Sequence, residues 1–271
     1  MLDDVQAIAD FYATGRGRLV ATLLRRRLQE IWPDCSRQVV LGLGHTAPFL
    51  PVWRDQALDC IDAVPSGSAH AGMRHGRTAC LVQDDALPFA DGSLDRVLMV
   101  HAIENAANIN RTLRAVWRAM RDDGRLLIVV ANRTGLWAHT ESTPFADGAP
   151  CSTGRIERVL QRNLFRIERM DGALYGPPAS LRPMLRAGPL LEAAGRFVTP
   201  RLAGVLVVEA VKELYAGVPV MVAPVRVRRR IMVRLGALAG AHGTAGTAIE
   251  TNATENNQAS KVMPCSSSKS R

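Results

Sequence analysis

His101 and Glu104 stand three residues apart, directly after the apolar run Val97-Leu98-Met99-Val100. An imidazole titrates near neutrality, so a histidine placed there is suited to take a proton from a hydroxyl or an amine. The alternative for His101 is a capping or shaping role. Gly42 and Gly44 close a second apolar run, Val39-Val40-Leu41. Without Cβ atoms such a turn lets a ligand come close to the backbone. Asp62 begins an Asp-x-x-Pro stretch eighteen residues after Gly44, with Asp59 as its fallback. A carboxylate only accepts hydrogen bonds, each worth ~1.5–3 kcal/mol when charge-assisted. Gln83, Asp84 and Asp85 precede Leu87-Pro88-Phe89, where the two acids either meet a ligand or cap a turn.

The elements that must hold these residues are legible in the apolar spacing. Short apolar runs at 38–43, 57–61, 79–82, 95–100 and 125–130 predict strands that alternate with helical stretches. Ile109, Leu113, Val116, Trp117 and Met120 predict a helix over 105–121, ended by Asp122-Asp123-Gly124. Such alternation implies right-handed crossovers and a mainly parallel sheet. His101 and Glu104 then lie at its carboxyl end, where open α/β folds gather ligands. Ahead of the sheet, Val5, Ile8, Tyr12, Leu19, Leu23, Leu24, Leu28 and Ile31 predict one or two amphipathic helices, broken at Gly15 and Gly17. Beyond it, 153–161 and 181–194 predict helices, and 202–211 a long late strand.

Composition narrows the function classes. A chain of 271 residues with 47% hydrophobic content is long enough for one buried α/β core plus appendages. The apolar run from Leu19 to Leu24 is far short of a membrane span, and the acidic opening Met1-Leu2-Asp3-Asp4 is unlike a signal peptide. Five scattered cysteines without paired spacing imply reduced thiols in a cytoplasmic protein, with no metal site. The net charge of +9 is concentrated late. Residues 221–271 hold eight Lys/Arg against two Asp/Glu, or +6, and the rest holds 26 against 23, or +3. That distribution is weak support for a nucleic-acid grip by the folded part.

The run from Gln83 to Leu98 resembles the middle of an S-adenosylmethionine-dependent methyltransferase, which reads roughly D-A-x-x-L-P-F-x-D-x-S-F-D-x-V. The stretch Trp117 to Leu126 is similar to that family's R-x-L-K-P-G-G-x-L landmark, and His101-Ala102-Ile103-Glu104 to its H-A-L-E. The resemblance covers about 38–164 and is nearest the type 11 small-molecule branch. It implies a Rossmann-like fold, a mainly parallel seven-stranded sheet flanked by helices and closed by a reversed hairpin. It implies S-adenosyl-L-methionine as cofactor, contacted by Gly42, Gly44 and Thr46 at the first turn and by Asp62 at the ribose. Gln83, Asp84, Asp85, Ala86 and Leu87 would border the adenine, and His101 the methyl. His101 and Glu104 are then the catalytic candidates, and Asn132, Trp137 and His139 the acceptor-facing ones, with Phe145 nearby. Where the family shows V-L-D-L-G-x-G-x-G, this chain has Gly42 at the acid, Thr46 at the second glycine and Pro48 at the third. The acid normally holds the methionine ammonium.

The expected organisation is a helical segment at 1–36, a methyltransferase domain at 37–215 and a basic, largely disordered tail at 216–271. In the first segment Phe11, Tyr12 and Arg16 to Arg18 either cover the cofactor or pack on the sheet edge. The expected activity is methyl transfer to a small molecule, without membrane insertion. The rival expectations are a binding or regulatory module that has lost catalysis, prompted by Gly42, Thr46 and Pro48, and a nucleic-acid-modifying protein, prompted by the basic stretch 226–234.

Overall fold

The computed structural model describes residues 2–65, 79–82, 86–139, 150–175 and 203–214. The predicted helix at 181–194, the cluster Gln83-Asp84-Asp85, Phe145 and the basic tail lie outside the described residues.

Two helices lead the chain, α1 (Leu2–Ala13) and α2 (Gly15–Ile31). The break between them falls at Thr14, which caps α2. Its hydroxyl accepts from the Gly17 amide at 3.0 Å and donates to the Phe11 carbonyl at 2.6 Å. Gly17 itself lies inside α2, where a Cβ would strike the Phe11 and Tyr12 backbone, so the glycine permits a tight corner.

Seven strands follow: β1 (Val39–Gly44), β2 (Asp59–Pro65), β3 (Ala79–Val82), β4 (Leu94–Val100), β5 (Met120–Ala131), β6 (Phe165–Ala173) and β7 (Val205–Lys212). They form one sheet in the order β3-β2-β1-β4-β5-β7-β6. The first five are parallel neighbours, while β7 runs antiparallel to both β5 and β6. This is the mainly parallel sheet with a reversed hairpin that the strand spacing and the resemblance implied. Helices α3 (Ala102–Asn105), α4 (Ile109–Ala119) and α5 (Thr153–Arg162) complete the described α-helices.

Two predicted boundaries are corrected. The helix predicted over 105–121 is α4 at Ile109–Ala119, which starts later because Asn108 caps it by accepting from the Arg111 amide. The helix stop at Asp122-Asp123-Gly124 is instead a bulged start to β5. Leu94 pairs with Met120 but Arg96 pairs with Arg125, and the residues between are accommodated by that shift of register.

Alternation along the strands sends residues to two cores. Val40, Leu98, Val100, Leu127 and Val129 face α1, α2 and the β1–β2 crossover, where Phe49, Leu50 and Trp53 are buried. Leu41, Leu43, Val97, Met99, Leu126 and Ile128 face α4 and α5 through Leu113, Val116, Ile156 and Leu160. Full burial of each such side chain stabilises by roughly 1.5–3 kcal/mol. Polar ties cross the first face. The Trp32 indole donates to Glu209 at 3.1 Å, Arg125 pairs with the same carboxylate at 3.0 Å, and the Trp53 indole donates to the Trp32 carbonyl at 2.9 Å. No described helix is long and apolar enough to cross a membrane.

Candidate active site at the carboxyl edge of the sheet

Strand β4 delivers His101 to this edge in a left-handed conformation, φ 53° and ψ 19°, just before α3. For a residue other than glycine this costs roughly 1–2 kcal/mol. Four ties offset it. The His101 amide donates to the Val129 carbonyl at 3.0 Å, and its carbonyl accepts from the Asn105 side chain at 2.7 Å. Its Nδ1 lies 3.1 Å from Glu104 Oε1, and its Nε2 lies 3.1 Å from the Tyr12 hydroxyl. Glu104 Oε1 also accepts the Ala131 amide at 2.7 Å, so β5 holds the carboxylate in place. A carboxylate oxygen beside Nδ1 assigns the ring proton to Nδ1. Nε2 is then the acceptor for the Tyr12 O–H.

Tyr12 arrives from α1 and joins this cluster to the β1 turn. Its ring stacks on His45 with centroids 5.0 Å apart and 17° between planes, and meets Phe49 edge-on at 5.6 Å. Burial, reinforced by the Glu104 charge, pushes the Tyr12 phenol far above its ordinary range, so it remains O–H. Burial, and then His101, pushes the His45 imidazole down to about 4. His45 is therefore uncharged at neutral pH. Its amide donates to the Val100 carbonyl at 2.8 Å, which laces the β1 turn to the end of β4. Two buried polar atoms in this cluster have no hydrogen-bond partner among the described residues: Glu104 Oε2 and His45 Nε2.

The glycine turn is filled from inside. A Cβ on Gly42 would fall onto the Thr46 hydroxyl and lie 2.8 Å from Leu50 Cδ1. Thr46 is fully buried, and its hydroxyl donates to Asp62 Oδ1 at 2.7 Å. Gly42 and Asp62 are register partners on β1 and β2, so the carboxylate stands beside the residue that lacks a side chain. Gly44 takes φ 90°, and a Cβ there would lie 2.5 Å from the Val100 carbonyl. Only glycine fits that approach.

The remaining predicted residues are dispersed. Leu87 is buried against the second core, while Ala86 is exposed. Gln83, Asp84 and Asp85 lie outside the described residues. Asn132 is buried, with its side-chain amide donating to the Ala203 carbonyl at 2.8 Å and its oxygen accepting from the Thr134 hydroxyl at 3.0 Å. Trp137 is fully buried against Gly204, where a Cβ would lie 2.5 Å from its Cδ1. His139 ends the 3₁₀ turn Leu136–His139. His45 was not singled out from sequence, although its place between Gly44 and Thr46 was the available signal. Among the cysteines, Cys60 is buried and its thiol is pushed up to about 11 chiefly by that burial, which leaves it inert.

Residues 39–128 match the family model of a methyltransferase domain. That stretch is a methyltransferase domain, and the sheet that holds it has the fold of class I S-adenosylmethionine-dependent methyltransferases. An S-adenosylmethionine-dependent methyltransferase from Thermotoga maritima superposes with a TM-score of 0.55 at 17% identity, covering 78% of this chain and 100% of that one. A chain from the complex of the Haloferax volcanii Trm112 methyltransferase activator with a methyltransferase gives 0.53 at 17% identity, covering 76% and 98%. At such identity the likeness is one of fold. No curated protein matches by sequence.

The cofactor of such a domain brings a sulfonium, an amino-acid arm, a ribose and an adenine. Of the two unpartnered buried atoms, Glu104 Oε2 fits a ligand group that carries hydrogen-bond donors and positive charge, and His45 Nε2, when it bears the ring proton, fits an acceptor. Gly42 is where this methyltransferase departs from the family pattern, since no acid can be accommodated there.

Proposed function

We propose that this methyltransferase modifies a small-molecule acceptor, with His101 taking the acceptor's proton and Glu104 orienting His101. S-adenosylmethionine, when bound, supplies a methyl already activated on sulfur, so the protein mainly aligns groups and removes a proton. Alignment is worth ~7–11 kcal/mol of barrier. By the family pattern, the turn Gly42, Gly44 and Thr46 would approach the cofactor, Asp62 its ribose, and the segment from Gln83 to Leu87 its adenine. Asn132, Trp137 and His139 would border the acceptor.

The observation that carries this reading is a buried imidazole tied at both nitrogens, on the turn after β4. With its proton on Nδ1, the ring presents Nε2 as a base, and the imidazolium formed there is stabilised by Glu104 at 3.1 Å. The Tyr12 hydroxyl occupies Nε2 in the free protein, and the acceptor's O–H or N–H takes its place. That makes α1 a cover over the site. The scattered cysteines, Cys60 inert among them, favour a cytoplasmic setting.

The test is incubation of the protein with methyl-tritiated S-adenosylmethionine and a low-molecular-weight cell extract, alongside calorimetry with S-adenosylhomocysteine. The reading expects cofactor binding and label in the small-molecule fraction. Binding without transfer would favour a regulatory module, the reading that Gly42 supports. Label in nucleic acid would move the acceptor class.

A further inference from the structure

We propose that Glu104 Oε2, and not an acid on β1, receives the ammonium of the cofactor's amino-acid arm, in a seat shared with His45 and Tyr12. This rests on the reading of the site as an S-adenosylmethionine site and adds to it which groups hold the arm. Three observations converge on the same atom.

The first is that β1 is closed to the task. The space that a side chain at Gly42 would need is filled by Thr46 and Leu50. The adjacent carboxylate, Asp62, already has Oδ1 engaged by the Thr46 hydroxyl. A ligand ammonium at this edge therefore needs another anion.

The second is the state of Glu104. Its side chain is 5% exposed, and Oε1 serves both the Ala131 amide and His101. Oε2 is buried with no hydrogen-bond partner among the described residues. Among the described residues no lysine or arginine pairs with it; its one ion-pair partner is His101, which bears charge only when protonated. A buried carboxylate without a cation is destabilising, and an orphaned oxygen adds the desolvation of an unmade hydrogen bond. An ammonium bound at Oε2 removes both penalties.

The third is placement. Glu104 reaches Tyr12 through His101, and the Tyr12 ring lies on His45, which stands in the glycine turn between Gly44 and Thr46. The first turn and Glu104 thus bracket one ring. His45 Nε2 is the other unpartnered atom of the cluster. An uncharged imidazole protonated at Nε2 donates to the carboxylate of the same arm. Acceptor and donor then match the two ends of an amino acid.

The experiment is calorimetry on the full chain with S-adenosylhomocysteine and with its deamino analogue, which keeps the adenine, ribose, sulfur and carboxylate. The wild-type protein should prefer the parent compound by roughly ten- to hundredfold, the worth of one charge-assisted hydrogen bond. Glu104→Gln should reduce that preference to about twofold or less while leaving affinity for the deamino analogue unchanged. A preference undiminished in Glu104→Gln overturns the proposal, as does an equal loss of both ligands. A wild-type protein that binds both compounds equally overturns it too, whether or not the variant folds. A wild-type protein that binds neither compound defeats the cofactor reading beneath it, a separate outcome.

Discussion

The Tyr12 hydroxyl lies 3.1 Å from Nε2 of His101, across 89 residues of chain. One hydrogen bond thus links the first helix to the turn after β4, and the acceptor of that bond is the atom proposed to remove a proton. The ring that carries the hydroxyl is held independently, by stacking on His45 and edge contacts with Phe49 and Phe11. Ring and hydroxyl are therefore separable by mutation.

Tyr12→Phe keeps the ring and removes the hydroxyl that donates to Nε2 of the buried His101. The expected destabilisation is ~1–3 kcal/mol, read from urea unfolding. An unchanged midpoint would mean that the bond does not persist in solution. The wild-type protein should also lose more stability at alkaline pH than the variant does. The folded Tyr12 pKa is raised above the unfolded value of 10.0, so the unfolded chain releases this proton first. Stability attached to this group is intact below about pH 10 and declines above it.

How much of this was legible in the sequence depends on the kind of contact. Strands β1, β3 and β4 lie within a residue of their apolar runs, because buried parallel strands are written as continuous hydrophobic stretches. Strand β2 begins later than its run, since Leu58 is 72% exposed and the buried residues continue through Ala63. Strand β6 escaped notice. It is an edge strand that mixes Arg166, Glu168, Arg169 and Asp171 with its apolar residues, so it reads as polar loop. His101 and Glu104 were visible as a pair three residues apart. The contacts of Tyr12 and His45 with that pair were not, because they depend on how α1 packs across the sheet, and no periodicity encodes such a pairing.

Gly42→Ala tests the filled turn. Its new Cβ would meet the Thr46 side chain and Leu50, and overpacking of this kind costs about 1–3 kcal/mol. Thr46→Val, which removes the hydroxyl that donates to Asp62 Oδ1, should cost a similar ~1–3 kcal/mol. Combining Gly42→Ala with Thr46→Gly should cost less than the sum of the two single changes, since the smaller residue vacates the contested space. Strict additivity in denaturant unfolding would show that the two sites do not touch.

His45 predicts an acid-side slope. Its folded pKa is depressed to about 4, against 6.5 for the free group, so between these values the unfolded chain binds more protons than the folded one. The associated stability is fully present above about pH 6.5 and is lost as pH falls toward 4, by up to about 3 kcal/mol. His45→Phe preserves an aromatic stacking surface for Tyr12 and should flatten the difference between unfolding free energies at pH 7 and pH 4.5. Parallel pH profiles for the two proteins would place the titrating group elsewhere.

His101→Ala separates a base from a wall. If Nε2 takes the acceptor's proton, turnover should fall by ~10²–10⁴, while the dissociation constant of S-adenosylhomocysteine stays nearly the same. If the ring only shapes the pocket, affinity and turnover should fall together and modestly. The pH profile adds a readout that packing would not move: the acidic limb of kcat/KM, which reports the free enzyme's base, should vanish in the variant. The variant also removes the partner of Tyr12 and one of the two ties on Glu104 Oε1, so its folding must be checked by unfolding. A folded variant with full turnover and an unaltered acidic limb would take the base away from His101 and leave Glu104 as a binding group alone.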